Sequence, residues 1–189
     1  MSVSHDGATP TLELRGLTKQ FGGLRAVGNL DLTVRRGQLA GLIGPNGAGK
    51  TTVFNMISGL YTPSAGDIRF LGVSTIGMEP YEVTRLGIGR TFQNIRLFPS
   101  LSVLDNVRIA YHTHAGYGLL DSVLRTATFE RRERELTDRP RDFLSIFKID
   151  RLQHEQASSL PYGEQRRVEI ARALASSPRL LLLDEPAAG

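Results

Sequence analysis

Residues Gly44 to Thr51 read G-P-N-G-A-G-K-T, filling every fixed position of the pattern G-x-x-x-x-G-K-[ST]. This loop narrows the choice of fold more than any other stretch, because it has to leave a strand and open a helix. Glycines at 44, 47 and 49 let main-chain N–H groups turn inward around a cluster of anionic oxygens, a concavity that side chains would obstruct. Lys50 brings a cation to the β- and γ-phosphates of a nucleotide, and the Thr51 hydroxyl can ligate Mg²⁺. The flanking residues agree. Leu39-Ala40-Gly41-Leu42-Ile43 is a short apolar run that predicts a buried parallel strand. Thr52 to Leu60 predicts a helix ending near Gly59, with the partial positive charge of its N-terminus aimed at the phosphates. The expected ligand is a nucleoside triphosphate, held by Gly44, Pro45, Asn46, Gly47, Ala48, Gly49, Lys50, Thr51 and Thr52.

A chain of 189 residues is enough for one domain with a sizeable core, or one domain with a small appended lobe. No apolar run approaches the roughly 18 residues needed to span a membrane. Residues 1–10 read as a short tail without the basic-then-apolar pattern of a secretory signal. With no cysteine, disulfides and thiolate metal sites are excluded, which fits a cytoplasmic protein. The net charge of +4 is mild and dispersed. The arginines between Glu130 and Arg151 alternate with Glu133, Glu135, Asp138, Asp142 and Asp150, the pattern of a solvated helix face. No nucleic-acid partner is expected from so mixed a surface.

Leu12-Glu13-Leu14 and Leu30 to Val34 alternate as half-buried strands do, with turns at Gly22-Gly23 and Arg35-Arg36-Gly37. Pro63 to Gly66 turns into a strand over Asp67 to Leu71. Tyr81 to Leu86 predicts a helix with Pro80 at its start, followed by a strand over Gly87 to Phe92. From about 95 to 160 the pattern is mostly helical. Ser102 can cap a helix over Val103 to Ala110, and a polar helix after Phe129 carries Leu136, Phe143, Leu144 and Phe147 on its later apolar stripe. Pro140 should kink or divide that helix. His112 and His114 do not share a helix face and predict no metal site. A helix from Gly163 to Ser176 and a strand Leu180 to Leu183 return to the α/β pattern, so the helical stretch interrupts one domain.

That last strand ends in Asp184-Glu185. Ligands of open α/β sheets gather at the carboxyl ends of strands, which places Asp184 to hold Mg²⁺ from its second coordination sphere and Glu185 to accept a proton from an attacking water. A strand ending in a solvated acidic turn is the alternative. Following a phosphate loop, and with Pro186 ending the strand, the catalytic reading is preferred. Leu160 to Arg167 opens another helix near Gly163, exposing N–H groups to an anion. One phosphate loop already serves one nucleotide, so this second helix start calls for a phosphate held elsewhere, as in a sandwich of two subunits.

The ordered set of Phe21-Gly22-Gly23, the phosphate loop, Thr91-Phe92-Gln93-Asn94, Leu160 to Gln165 and Leu180 to Glu185 resembles the ATP-binding cassette of ABC transporters. Together with Arg96-Leu97-Phe98 and Asp184 to Gly189, it most resembles the ATPase subunits of branched-chain amino-acid importers. The resemblance implies an α/β fold: a P-loop NTPase sheet, an N-terminal antiparallel β subdomain and an inserted helical subdomain, over residues 11–189. It implies ATP and Mg²⁺ as cofactors. Phe21 matches the aromatic that stacks on adenine, and Gln93 the glutamine that contacts Mg²⁺ and the attacking water. Tyr162, Gly163 and Glu164 lie in the signature that contacts the γ-phosphate of a partner. The implied partners are a second ATP-binding subunit, identical or not, and transmembrane permease subunits, with the chain peripheral on the cytoplasmic face of the inner membrane. Leu97 and Phe98 are expected to dock on the membrane partner or to pack inside the helical lobe.

Two departures from the family pattern stand out. Pro161 replaces the signature serine, removing a hydroxyl and an N–H; a hydrogen bond to a charged group is worth about 1.5–3 kcal/mol, so contact with the partner's phosphate should weaken. The chain also stops at Gly189, before the family's dimer-contact loop and switch histidine, and His5, His112, His114 and His154 lie too early to replace the latter. A C-terminally incomplete cassette is therefore expected, one that alone hydrolyses ATP little. A soluble non-transport cassette and a fragment that only binds ATP are the other two readings.

Overall fold

The computed structural model describes residues 9–92, 95–112 and 138–185, arranged as two compact units that meet in sequence at Ile88 and Gly89. The sheet of the first unit grows from a hairpin. β1 (Leu12–Phe21) and β2 (Leu24–Val34) run antiparallel about the expected Gly22-Gly23 turn, with Phe21 opposite Leu24. Both strands are longer than their alternation predicts. Register shifts after Leu14 and again near Lys19 break the period of two, so the buried side chains run Leu12, Leu14, Leu17. β3 (Ala65–Phe70) pairs with the other edge of β1, Leu14 opposite Ile68 and Leu12 opposite Phe70. β4 (Val73–Ser74) completes the order β2-β1-β3-β4.

α1 (Lys50–Ile57) buries Val53, Met56 and Ile57, whose spacing puts them on one face. α2 (Pro80–Leu86) starts with the predicted proline, and a capping box between Glu79 and Glu82 satisfies its first amides. Val83 is the buried residue of this helix.

The strand expected over Leu39 to Ile43 is absent. The segment carries no regular structure, and Leu39 and Ile43 are 96% and 97% exposed. An apolar run becomes a strand only when a ladder partner takes its main-chain groups. Every described ladder of this unit is antiparallel and occupied by β1 to β4, so the run has no parallel neighbour there. The turn at Arg35 to Gly37 does form, with the Gln38 amide donating to Arg35 O at 3.1 Å.

In the second unit β5 (Ile88–Arg90) pairs with β6 (Leu180–Leu182). The helices are α3 (Val103–His112), α4 (138–146) and α5 (Tyr162–Ala175), with short 3-10 turns at Asp150–Leu152 and Ala157–Ser159. Their core is Val103, Leu104, Val107, Leu144, Ile149, Leu160, Val168, Ala171 and Ala175, with Phe143 and Phe147 packed at its margin. Ser102 caps α3 as expected, its Oγ accepting the Asp105 amide at 3.0 Å. Buried Asn106 fastens the preceding loop, accepting the Phe98 amide and donating to Phe98 O and Ser102 O. Leu136, the onset of the helix after Phe129, its division at Pro140, and His114 fall wholly or partly outside the described residues. Among those described, no helix is long and apolar enough to cross a membrane, and no three His, Cys, Asp or Glu side chains cluster to hold a metal.

Candidate functional site

The phosphate loop is shaped by its main chain. The Ala48 amide donates to Pro45 O at 3.2 Å and the Val53 amide to Gly49 O at 2.9 Å, closing a tight turn onto α1. Gly47 and Gly49 sit at φ +83° and +84°, the left-handed region. At Gly49 the backbone also lies hard against β2, where a Cβ would come within 2.4 Å of Ala26 O. No side chain caps α1 and no acidic residue occupies its first turn, so its leading amides and their partial positive charge are left to a ligand. The Lys50 ammonium folds over the loop, donating to Gly44 O at 2.7 Å and Pro45 O at 2.8 Å. Pro45, Asn46, Gly47, Ala48 and Thr51 are exposed, and Gly44, Gly49 and Thr52 are half-buried. Cradle, cation and open helix start fit a polyphosphate.

In the same unit Phe21 ends β1 with its ring 43% exposed. Tyr61 meets it edge-on, ring centroids 5.5 Å apart. The Lys19 ammonium lies 5.1 Å from the Phe21 centroid and 5.9 Å from that of Tyr61, fixed by a 2.7 Å bond to Thr62 O. An exposed ring held this way can stack on a purine. Tyr61 lies outside β1 and only the fold brings it to Phe21, whereas Lys19, two residues before Phe21 on the same strand, is tied to it by the strand period.

The carboxylates of the second unit lie where β6 ends. The last ladder bond runs from the Thr91 amide to Leu182 O at 3.0 Å, and the Asp184 amide then donates to Thr91 Oγ1 at 3.3 Å. Asp184 is buried, with Oδ2 3.3 Å from Arg90 Nη2. Glu185 is exposed, and its φ of +48° puts a non-glycine residue in the left-handed region, a strain of about 1–3 kcal/mol that its surroundings must sustain. Gln93 lies outside the described residues, as do Pro186 to Gly189. Phe92, just before Gln93, has its ring 5.0 Å from the Arg90 guanidinium and 4.2 Å from that of Arg96.

Two further residues join this cluster. Arg166 of α5 is buried, and its Nη1 donates to Phe92 O at 2.5 Å and to Glu169 Oε2 at 2.6 Å. Its Nη2 donates to Asp184 O and, at 3.2 Å, to Glu185 O. Glu169 Oε1 accepts the Phe92 amide at 3.2 Å. Arg166 has no separate role in the motifs that the sequence offers, and Glu169 lies outside them. The pair lies on the side of α5 roughly opposite Val168, Ala171 and Ala175, so its helical spacing alone did not mark it as buried.

α5 begins at Tyr162, one residue earlier than expected, with Pro161 as its N-cap. The proline carbonyl accepts the amides of both Glu164 and Gln165 at 3.0 Å, which leaves Tyr162 and Gly163 as the leading donors. Tyr162 is exposed and Gly163 faces open space. The Glu164 carboxylate lies between Arg151 at 3.3 Å and Arg167 at 3.5 Å. Leu97 and Phe98 take different positions: Leu97 packs on the helical core, whereas Phe98 is 46% exposed, 5.8 Å from the Arg172 guanidinium. Burial pulls Arg172 below its ordinary range, and the charge of Glu169 opposes the shift.

Known proteins resemble the chain along nearly all of it. The family described as ABC transporter matches residues 27–188. The high-affinity branched-chain amino acid transport ATP-binding protein BraF of Pseudomonas aeruginosa is 44% identical over 180 residues, which is 95% of this chain and 71% of that protein. LivG of Escherichia coli K12, described in the same words, is 44% identical over 182 residues with the same coverage. Among solved structures, a bacterial ABC transporter cassette in dimeric form superposes with a TM-score of 0.78 at 28% identity, over 93% of this chain and 74% of that one. The phosphate cradle, the strand ending in Asp184-Glu185 and these matches lead to one conclusion: the chain belongs to the ABC transporter family, with the nucleotide-binding fold and ATPase activity of its cassettes.

Proposed function

We propose that this chain energises the import of branched-chain amino acids, working peripherally on the cytoplasmic face of the membrane as one of two ATP-binding subunits coupled to permease subunits. The observation that carries the reading is the 44% identity, over 95% of the chain, to two proteins described as serving that transport.

ATP is held by Gly44 to Thr52, with Lys50 on the terminal phosphates and Phe21 on the adenine. Glu185 takes the proton of the attacking water, and Gln93 orients that water. Thr51 and Asp184, with Gln93, offer the hard oxygen donors that Mg²⁺ prefers. Bound there, Mg²⁺ would neutralise charge on the phosphates. Tyr162, Gly163 and Glu164 address the nucleotide of the partner subunit.

The decisive experiment is uptake of labelled leucine by cells whose own copy is replaced with the wild type or with Lys50→Ala. Loss of uptake in the Lys50→Ala cells, together with loss of tight ATP binding by the purified variant, supports the reading. Uptake that persists without the protein would remove branched-chain amino acids as the solute. Purification without any membrane subunit would favour a cassette that does not serve transport.

A further inference from the structure

We infer that Arg166 and Glu169 form a positioning pair that sets the turnover rate without touching nucleotide, by taking over main-chain hydrogen bonding where the β5–β6 ladder stops. The inference rests on the proposed role of Glu185. The last ladder bond is Thr91 to Leu182. Beyond it Phe92 offers an amide and a carbonyl, and Asp184 and Glu185 offer carbonyls, with no strand among the described residues to receive them. Arg166 donates to all three carbonyls and Glu169 accepts the amide. Two side chains of one helix thus do the work that a further strand would do. The main chain they hold leads directly into Gln93 on one side and carries Asp184 and Glu185 on the other.

Burial energetics favour a positional role over a stabilising one. Both side chains are almost wholly buried, at 6% and 1% exposure, and Arg166 Nε finds no partner among the described residues. Replacing a buried ion pair by apolar residues of similar volume is often neutral or stabilising. A helix that only needed to pack would do as well without the pair. What apolar residues cannot do is grip carbonyls and an amide in a fixed direction. Glu185 needs that grip because its backbone is in the left-handed region. Arg166 also lies one turn into α5 from Tyr162, so a movement of that helix start pulls on the strand ends through the same guanidinium.

The test compares Arg166→Met, Arg166→Lys, the apolar double variant Arg166→Met/Glu169→Leu and Glu169→Gln with wild type, in the intact protein. Glu185→Gln is measured alongside. Three quantities are read for each: melting temperature, equilibrium ATP affinity and kcat. Arg166→Met should lose about 10²-fold in kcat, the size of effect a misplacement of about 1 Å produces, while ATP affinity stays within about twofold. Arg166→Lys keeps the charge but not the fork and should fall in between. The double variant should melt below the wild-type temperature, because three carbonyls and an amide lose their partners, and should still turn over slowly where it is fully folded. A merely structural pair gives a double variant that melts lower yet turns over at the wild-type rate where it is fully folded, which would overturn the inference. If Arg166→Met alone fails to fold, the double variant and Glu169→Gln carry the same split between affinity and kcat. Wild-type turnover in Glu185→Gln would remove the assigned base and the inference with it. A slow Glu185→Gln beside fast Arg166 variants would sink the inference alone.

Discussion

The phosphate loop and the end of β6 both present reactive groups where an apolar segment stops, yet they are held by opposite means. Gly44 to Gly49 is shaped by turn bonds and left-handed glycines, and the Leu39 to Ile43 run before it is exposed at both ends. Phe92, Asp184 and Glu185 are held by Arg166 and Glu169, with Arg90 paired to the Asp184 carboxylate. The difference follows from what each must offer. A loop that meets phosphate with its amides has to keep side chains out, so its constraints lie in φ and in close backbone contacts. A carboxylate that must keep one orientation needs its main chain fixed, and buried charged side chains can fix it at the cost of their own desolvation. The contrast makes the first site sensitive to any added Cβ and the second to any lost donor.

The largest effect should come from the chemistry at the second site. Glu185→Gln keeps the shape of the side chain but cannot take a proton. Turnover should fall by about 10²–10⁴-fold, the usual contribution of a general base, with ATP affinity unchanged. Steady-state hydrolysis and equilibrium binding on the same sample check this. A variant with full turnover would place the base elsewhere and reduce the second site to a structural anchor.

Next in size are two glycine substitutions in the loop, which separate strain from collision. Gly47→Ala adds a methyl group into open space at φ +83°, so it meets only the left-handed penalty of about 1–2 kcal/mol, roughly a 5- to 30-fold loss of ATP affinity. Gly49→Ala meets the same penalty and also drives a Cβ to 2.4 Å from Ala26 O, a main-chain atom of β2 that cannot step aside as a side chain would. Its loss of affinity should be clearly greater. Equal losses at the two positions would mean that the loop moves off β2 when it binds nucleotide, and that close packing does not shape it.

The same contrast explains what could be read from the residues alone. The loop was legible because its chemistry requires residue types at fixed spacing, and Gly49 and Lys50 have few substitutes. The strand and helix of Leu180–Leu182 and Tyr162–Ala175 were legible from apolar runs and helical period. Arg166 and Glu169 were not, because a charged pair at helical spacing ordinarily marks a solvated face, and only the fold turns that face inward. Phe21's ring neighbour Tyr61 lies outside β1, so no short window of sequence joins the two, whereas Lys19 sits two residues before Phe21 on the same strand. The Leu39–Ile43 strand was misread for a related reason. Apolarity reports that a segment wants burial, whereas a ladder depends on a neighbour that local sequence does not name.

The smallest effect tests whether the grip on Asp184 and Glu185 is as local as the comparison implies. Ser102 Oγ accepts the Asp105 amide and donates to Asp105 Oδ2 at 2.7 Å, closing the first turn of α3. Removing this cap with Ser102→Ala should cost about 1 kcal/mol, the typical value for an N-cap, and lower the melting temperature by about 2–8 °C. The turn that loosens carries Val103 and Leu104, which share the helical core with Val168 and Ala171 of α5. Arg166 and Glu169 lie on the same helix, but their hydrogen bonds run to Phe92, Asp184 and Glu185 and none runs to α3. A local grip therefore predicts a less stable protein whose kcat and ATP affinity stay within about twofold of wild type, because a cap lost in the first turn of α3 leaves every one of those bonds in place. Melting followed by calorimetry and turnover measured well below the transition separate the two quantities. A tenfold drop in kcat at a temperature where the variant is fully folded would show that the helical core, and not only the buried pair, sets the position of the strand end.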